Sequence, residues 1–137
     1  MNHYRKTIKK YNSLKRINDC AFCDANTIKN AVYENNYVYI VPNNIKYDLW
    51  ELHDVIDHLL IVPKNHVENL NDLSLKERNE IMRLITKYEG EGYNVYMRET
   101  GFVKRSIKHQ HTHLIKTSNK KPRFSIFVSR PYILIKQ

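Results

Sequence analysis

Flexible and membrane-spanning segments are nearly excluded by what this chain has little of. Three Gly and four Pro in 137 residues leave no room for a linker or a low-complexity tract, and no internal repeat is visible. No apolar run reaches the roughly 18 residues of a membrane span. The opening stretch MNHYRKTIKKYNSLKR is charged throughout. It lacks the apolar centre of a signal peptide, so the expected compartment is the cytoplasm. Two cysteines, Cys20 and Cys23, are too few for a disulfide framework. Acidic residues are absent from both ends: residues 1–18 carry six Lys/Arg and residues 101–137 carry nine, with no acid in either. The middle, with eight basic and fourteen acidic residues, is net −6. Positive potential at the ends suits phosphate-bearing ligands or nucleic acid, and equally a solvated basic surface.

What is present is enough apolar residue, 42%, for one domain with one core. Tyr4, Ile8, Tyr11, Leu14 and Ile17 recur at helical spacing, which predicts a basic amphipathic helix over 4–17. The run AVYENNYVYIVPN (31–43), broken at Glu34-Asn35-Asn36, reads as a β-hairpin. Residues 44–54 read as a loop or short helix, and DHLLIVPKNH (57–66) as a short strand stopped by Pro63. Ser74-Leu-Lys-Glu77 fits a capping box, with Ile81, Leu84, Ile85 and Tyr88 as the apolar stripe and Gly90 as the stop. Strands are expected at 93–99 and 109–116, and one or two more over 124–136. Strands outnumber helices and the connections are short, so the expected class is α+β with a mainly antiparallel sheet.

The stretch KHQHTHLIK carries three of the seven histidines at alternate positions: His109, His111 and His113. Alternate residues of a strand share a face, and the outer two are roughly 13 Å apart at about 3.3 Å per residue. Two neighbouring imidazoles therefore share one reacting centre and the third has another task. His111 is placed to attack phosphorus, and His113 to hold a phosphate oxygen or protonate a leaving group. His109 is left for structure or metal. Cys20-Ala-Phe-Cys23 is half of a tetrahedral zinc site; a redox dithiol and simple packing are the alternatives. Candidates for the other two ligands are His109, His66, His58, His53 and His3.

Taken together and in order, Cys20-Ala-Phe-Cys23, VYENNYVYIVPN, DHLLIVPKNHVENLNDLS and SIKHQHTHLI resemble the histidine triad (HIT) superfamily over residues 19–117. Residues 1–18 are then a basic helical extension, and 118–137 a basic C-terminal extension with extra strands. The resemblance implies an antiparallel sheet of about five strands with the 74–90 helix packed on it. It also implies a homodimer, for which EGYNVY offers an edge. The implied activity is nucleotide hydrolysis or nucleotidyl transfer. His111 attacks the α-phosphorus to form a nucleotidyl-histidine, and His113 meets the phosphate and leaving-group side. Ser106 hydrogen-bonds a phosphate oxygen. From the residues themselves, Lys108 or Lys104 adds positive charge there, or serves solubility alone. The zinc-bearing branch of the family pairs its Cys-x2-Cys with two histidines, which match His66 and His109. His58 matches a histidine that supports the active site, with a plain core histidine as the alternative. The sequence departs from the family at three places. Asn43 stands where an Asp binds the ribose. Arg98 stands near an Asn of the strand before the triad. Gln110 and Thr112 are polar where apolar residues are usual, which implies a strand less buried than usual or one covered differently by another strand, for which FSIFVSRPYILIK is a candidate. Processing of adenylated nucleic-acid ends, as in the aprataxin branch, a non-catalytic nucleotide-binding module, and a membrane-surface or ribosome anchor in the N-terminal helix are the competing expectations.

Overall fold

The structure is a computed structural model that describes Thr7, residues 20–102 and residues 105–119. The helix expected over 4–17, Thr7 apart, and the strands expected over 124–136 lie outside the described residues.

Six strands form an antiparallel sheet: β1 Tyr33–Glu34, β2 Val38–Pro42, β3 Leu49–Trp50, β4 His53–Pro63, β5 Asn94–Met97 and β6 Thr112–Thr117. The main path runs β1-β2-β4-β6-β5, and β3 pairs with the start of β4. The β1–β2 hairpin falls where Glu34-Asn35-Asn36 predicts it. Asn35 Oδ1 accepts from the backbone N–H groups of Tyr37 and Val38, both at 2.9 Å, and so closes the turn.

Residues 44–54 differ from expectation. They make a tight hairpin in which Glu51 and Leu52 take positive φ of 48° and 65° between β3 and β4. Neither residue is Gly or Asn, so the usual turn signal is missing. The long β4 starts at His53 instead of residue 57, and it carries both faces of the core.

The helix α1 (Ala25–Lys29) follows the cysteine pair, with Asp24 as its N-cap. The helix α2 (Leu75–Gly90) has the full capping box: Ser74 Oγ receives Glu77 N–H at 3.3 Å, and Glu77 Oε2 receives Ser74 N–H at 2.8 Å. Gly90 is still helical. The left-handed residue that turns the chain is Gly92, at φ 86°.

Strand alternation divides the sheet into two working faces. Val38, Ile40, Leu59, Ile61 and Leu114 meet Leu73, Ile81 and Leu84 under α2. On the other face lie Tyr39, Val41, Leu60 and Val62 with Phe22, and further along Tyr47, Val55 and Ile115. His58 pairs with Ile115 and His113 with Leu60, so both imidazoles belong to this second face, away from α2. The helix thus stiffens the sheet from behind and leaves the other surface for chemistry.

Candidate active site and metal centre

The triad enters the sheet later than the sequence predicts. β6 begins at Thr112, and His109 to His111 form an irregular lead-in. Gln110 N–H donates to the Val67 carbonyl at 2.7 Å, which ties this lead-in to the segment after β4. His109 is thereby separated from its two neighbours and joins a different group. Its Nδ1 lies 3.4 Å from Cys20 Sγ and 3.6 Å from Cys23 Sγ, and His66 Nδ1 lies 3.3 Å from Cys23 Sγ. The four donor atoms of Cys20, Cys23, His66 and His109 are all within 4.8 Å of one another.

This set fits a tetrahedral ion on two counts. Donors about 2.3 Å (S) and 2.0 Å (N) from a tetrahedral centre stand roughly 3.5 Å apart, as these sulfur–nitrogen pairs do. His109 also offers the right nitrogen. Its Nε2 lies 2.9 Å from the Pro63 carbonyl, so Nε2 carries the hydrogen and Nδ1 presents its lone pair to the thiols. His66 is held from behind as well. Its neighbour Asn65 donates to Glu77 Oε1 at 2.6 Å, so the buried capping-box carboxylate also anchors the metal-site loop. His53 and His58 stand elsewhere: His53 Nδ1 meets the Ser118 carbonyl at 3.1 Å, and His58 belongs to the triad face. His3 lies outside the described residues.

His111 and His113 form the second group, with ring centroids 5.0 Å apart. His111 Nδ1 is 2.8 Å from the His109 carbonyl and donates to it, which leaves the lone pair of Nε2 available. Burial pushes the His111 imidazole down to about 4, so it is neutral near pH 7 and fit to act as a nucleophile.

His113 is more buried, and its imidazole is pushed down to about 2, by burial first and then by the neighbouring His111, His58 and Arg98. Its tautomer is set by a chain of hydrogen bonds. Tyr47 N–H donates to His58 Nδ1 at 3.0 Å, so His58 carries its hydrogen on Nε2. That hydrogen points at His113 Nδ1, 2.9 Å away, and His113 then carries its own on Nε2. Among the described residues, buried His113 Nε2 has no hydrogen-bond partner, so it is a donor open to a bound group. Phe22, inside the cysteine motif, packs against both groups, 5.9 Å from the His109 ring and 5.0 Å from the His111 ring.

The remaining sequence candidates divide. Asn43 borders the site, with Nδ2 3.3 Å from His58 Nε2. Its Oδ1 accepts from Ile45 N–H at 3.0 Å and so shapes the turn that carries Tyr47. Ser106 is exposed and makes no hydrogen bond to another described residue. Lys108, with its side chain 81% exposed, pairs with Glu68 at 3.6 Å. Lys104 lies outside the described residues.

Gln110 and Thr112 are 4% and 1% exposed, against a strand less buried than usual; the covering strand expected at 124–136 lies outside the described residues. Gln110 is buried because its polar atoms are occupied, with Oε1 receiving Arg105 Nη2 at 3.2 Å. Arg105 was not singled out by sequence reasoning. It also reaches the carbonyls of Glu68, Ile107 and Lys108 at 2.8, 3.3 and 2.6 Å, and so ties the segment before the triad to the segment after β4. It is one basic residue in a basic stretch, and no local pattern marks it.

The HIT domain family model matches residues 25–120. No curated protein sequence matches the chain. Among solved structures, a histidine triad nucleotide-binding protein from Candida albicans is similar at TM-score 0.57 and 20% identity, over 86% of this chain and 87% of that one. A HIT family hydrolase from Clostridium thermocellum is similar at TM-score 0.56 and 17% identity, over 78% and 97%. A member of the HIT family from Bacillus subtilis is similar at TM-score 0.57 and 20% identity, over 74% and 75%.

Proposed function

Because this chain belongs to the HIT domain family, we propose that it is a nucleotide hydrolase that works through a nucleotidyl-histidine on His111. The observation that carries the reading is the pair of fixed tautomers: a lone pair on His111 Nε2 beside an Nε2–H on His113 that has no partner among the described residues. One is a nucleophile and the other a donor, as displacement at phosphorus requires. The His111 lone pair attacks the α-phosphorus of a nucleotide anhydride or amidate. The bond to the leaving group breaks and its electron pair departs with that group, hydrogen-bonded by His113. Water then attacks the same phosphorus, the P–N bond breaks with its electron pair returning to His111 Nε2, and the water's proton passes to solvent as the nucleotide leaves. Ser106 and the positive charge of this segment, Lys108 included, face the phosphate once substrate is bound. Asn43 stands on the ribose side, and His58 acts on His113 by fixing its tautomer.

Zinc is the ion we assign to Cys20, Cys23, His66 and His109. Four protein donors leave no open position, so its role is structural. Free thiols at Cys20 and Cys23 suit a reducing compartment such as the cytoplasm. A homodimer would use β5, which lies at the sheet edge.

The test is nucleotide release by wild type and His111→Ala with a dinucleoside tetraphosphate, an adenosine phosphoramidate and an adenylated DNA. Turnover by wild type and none by the variant is the expected result, and the favoured substrate separates the hydrolase from the nucleic-acid-end reading. No turnover of any of them by zinc-loaded protein would leave a binding module.

A further inference from the structure

The mechanism above does not use Arg98, which the structure places in the same aromatic surroundings as His113. Its Nη2 donates to the Tyr47 hydroxyl at 2.7 Å. Its guanidinium carbon lies 5.9 Å from the ring centroids of both Tyr47 and Tyr96, and 6.0 Å from that of Phe102. Tyr47 and Tyr96 also flank His113, at 5.5 and 5.7 Å between centroids. Arg98 and the leaving-group histidine therefore share two walls of one box.

Three aromatic faces hold a guanidinium in place, and its planar fork matches phosphate oxygens. Its charge is felt at His113, whose proton affinity it lowers. The Arg98 guanidinium is permanently positive at any pH the protein meets.

We infer that Arg98 is a leaving-group residue that binds the departing phosphate and directs this enzyme to phosphoanhydrides in preference to phosphoramidates. The inference rests on His111 being the nucleophile. When a phosphoanhydride is cleaved, the bridging P–O bond breaks and its electron pair stays on the departing phosphate. That charge needs a cation and no proton, and Arg98 supplies the cation. When a phosphoramidate is cleaved, the electron pair goes to nitrogen, which must take a proton to leave as an amine. A fixed cation beside His113 opposes formation of the imidazolium that would deliver that proton, and a neutral amine gains nothing from the guanidinium.

The test compares kcat/KM for diadenosine tetraphosphate and for adenosine 5′-phosphoramidate in wild type, Arg98→Gln and Arg98→Lys. The expected result is that Arg98→Gln loses about 100-fold on the tetraphosphate and far less on the phosphoramidate, while Arg98→Lys recovers part of the preference. The ratio between two substrates is independent of how much variant protein folds. An equal loss on both substrates would make Arg98 a structural residue and overturn the inference while leaving the nucleophile reading intact. Turnover of neither substrate by wild type would overturn both.

Discussion

His58 Nε2 and His113 Nδ1 stand 2.9 Å apart, and the hydrogen between them belongs to His58. The reason lies one bond further back, where Tyr47 N–H occupies His58 Nδ1 at 3.0 Å. A backbone amide in the turn before β3 thus decides which nitrogen of His113 carries its hydrogen. Replacing His58 with Phe keeps a ring in the core but removes the donor, so His113 is released to take its other tautomer. The expected result is a loss of about 10- to 100-fold in kcat with KM little changed. Steady-state kinetics measures the loss, and nitrogen shifts of His113 read the tautomer directly.

Acid should destabilise the protein through His113. Its folded value is about 2, against about 6.5 for an unfolded histidine. Between those limits the unfolded chain binds the proton and the folded one does not. Stability is therefore full above about pH 6.5 and falls as the pH drops, by on the order of 1 kcal/mol per pH unit for this one group. Denaturant midpoints of wild type and His113→Asn at pH 7 and pH 5 isolate the effect. The variant should show the shallower decline, and parallel declines would refute it.

Zinc should be found at one ion per chain and should matter for folding. An ion present at a thousand times its dissociation constant adds about 4 kcal/mol to the folded state. Cys20→Ser should lose the metal and lower the thermal midpoint. A chelator should do the same to wild type and leave the variant unmoved. Phe22 and the His109 carbonyl connect this centre to His111, so turnover should fall along with metal content.

Glu77 should matter more than an ordinary cap. Its two oxygens serve different ends, Oε2 closing the Ser74 box and Oε1 holding Asn65 beside His66 of the candidate metal set. Ser74→Ala removes a cap and should cost about 1 kcal/mol. Glu77→Ala also frees the loop, and should cost more and weaken zinc retention. Equal melting shifts and equal zinc affinity in the two variants would show that the Asn65 contact is idle.

Much of the fold was legible because its signals are local. The α2 cap, its stripe of Ile81 and Leu84, the Asn35 turn and the apolar runs of β2 and β4 each lie within a few residues of chain. The β3–β4 hairpin was not legible, since Glu51 and Leu52 adopt positive φ without Gly or Asn to announce it. Gln110 and Thr112 were misread for a related reason. Polarity predicts exposure only when the partners are unknown, and Arg105 supplies the partner of Gln110.

The candidate site divides along the same line. The sequence alone determined that three imidazoles would meet near one strand and that Cys20 and Cys23 would offer half of a metal set, because both patterns are matters of spacing. Spacing left several histidines eligible to complete that set, and the resemblance to a known family singled out His66 and His109. Only the tertiary structure brings those two within reach of the thiols. It also turns His109 by the Pro63 carbonyl and His113 by the His58 ring, each far away in the chain, and places Arg98 in the same aromatic surroundings as His113. Which nitrogen holds a proton, and which charge faces a leaving group, depends on atoms dozens of residues apart. No local pattern encodes a contact that exists only after the sheet has closed.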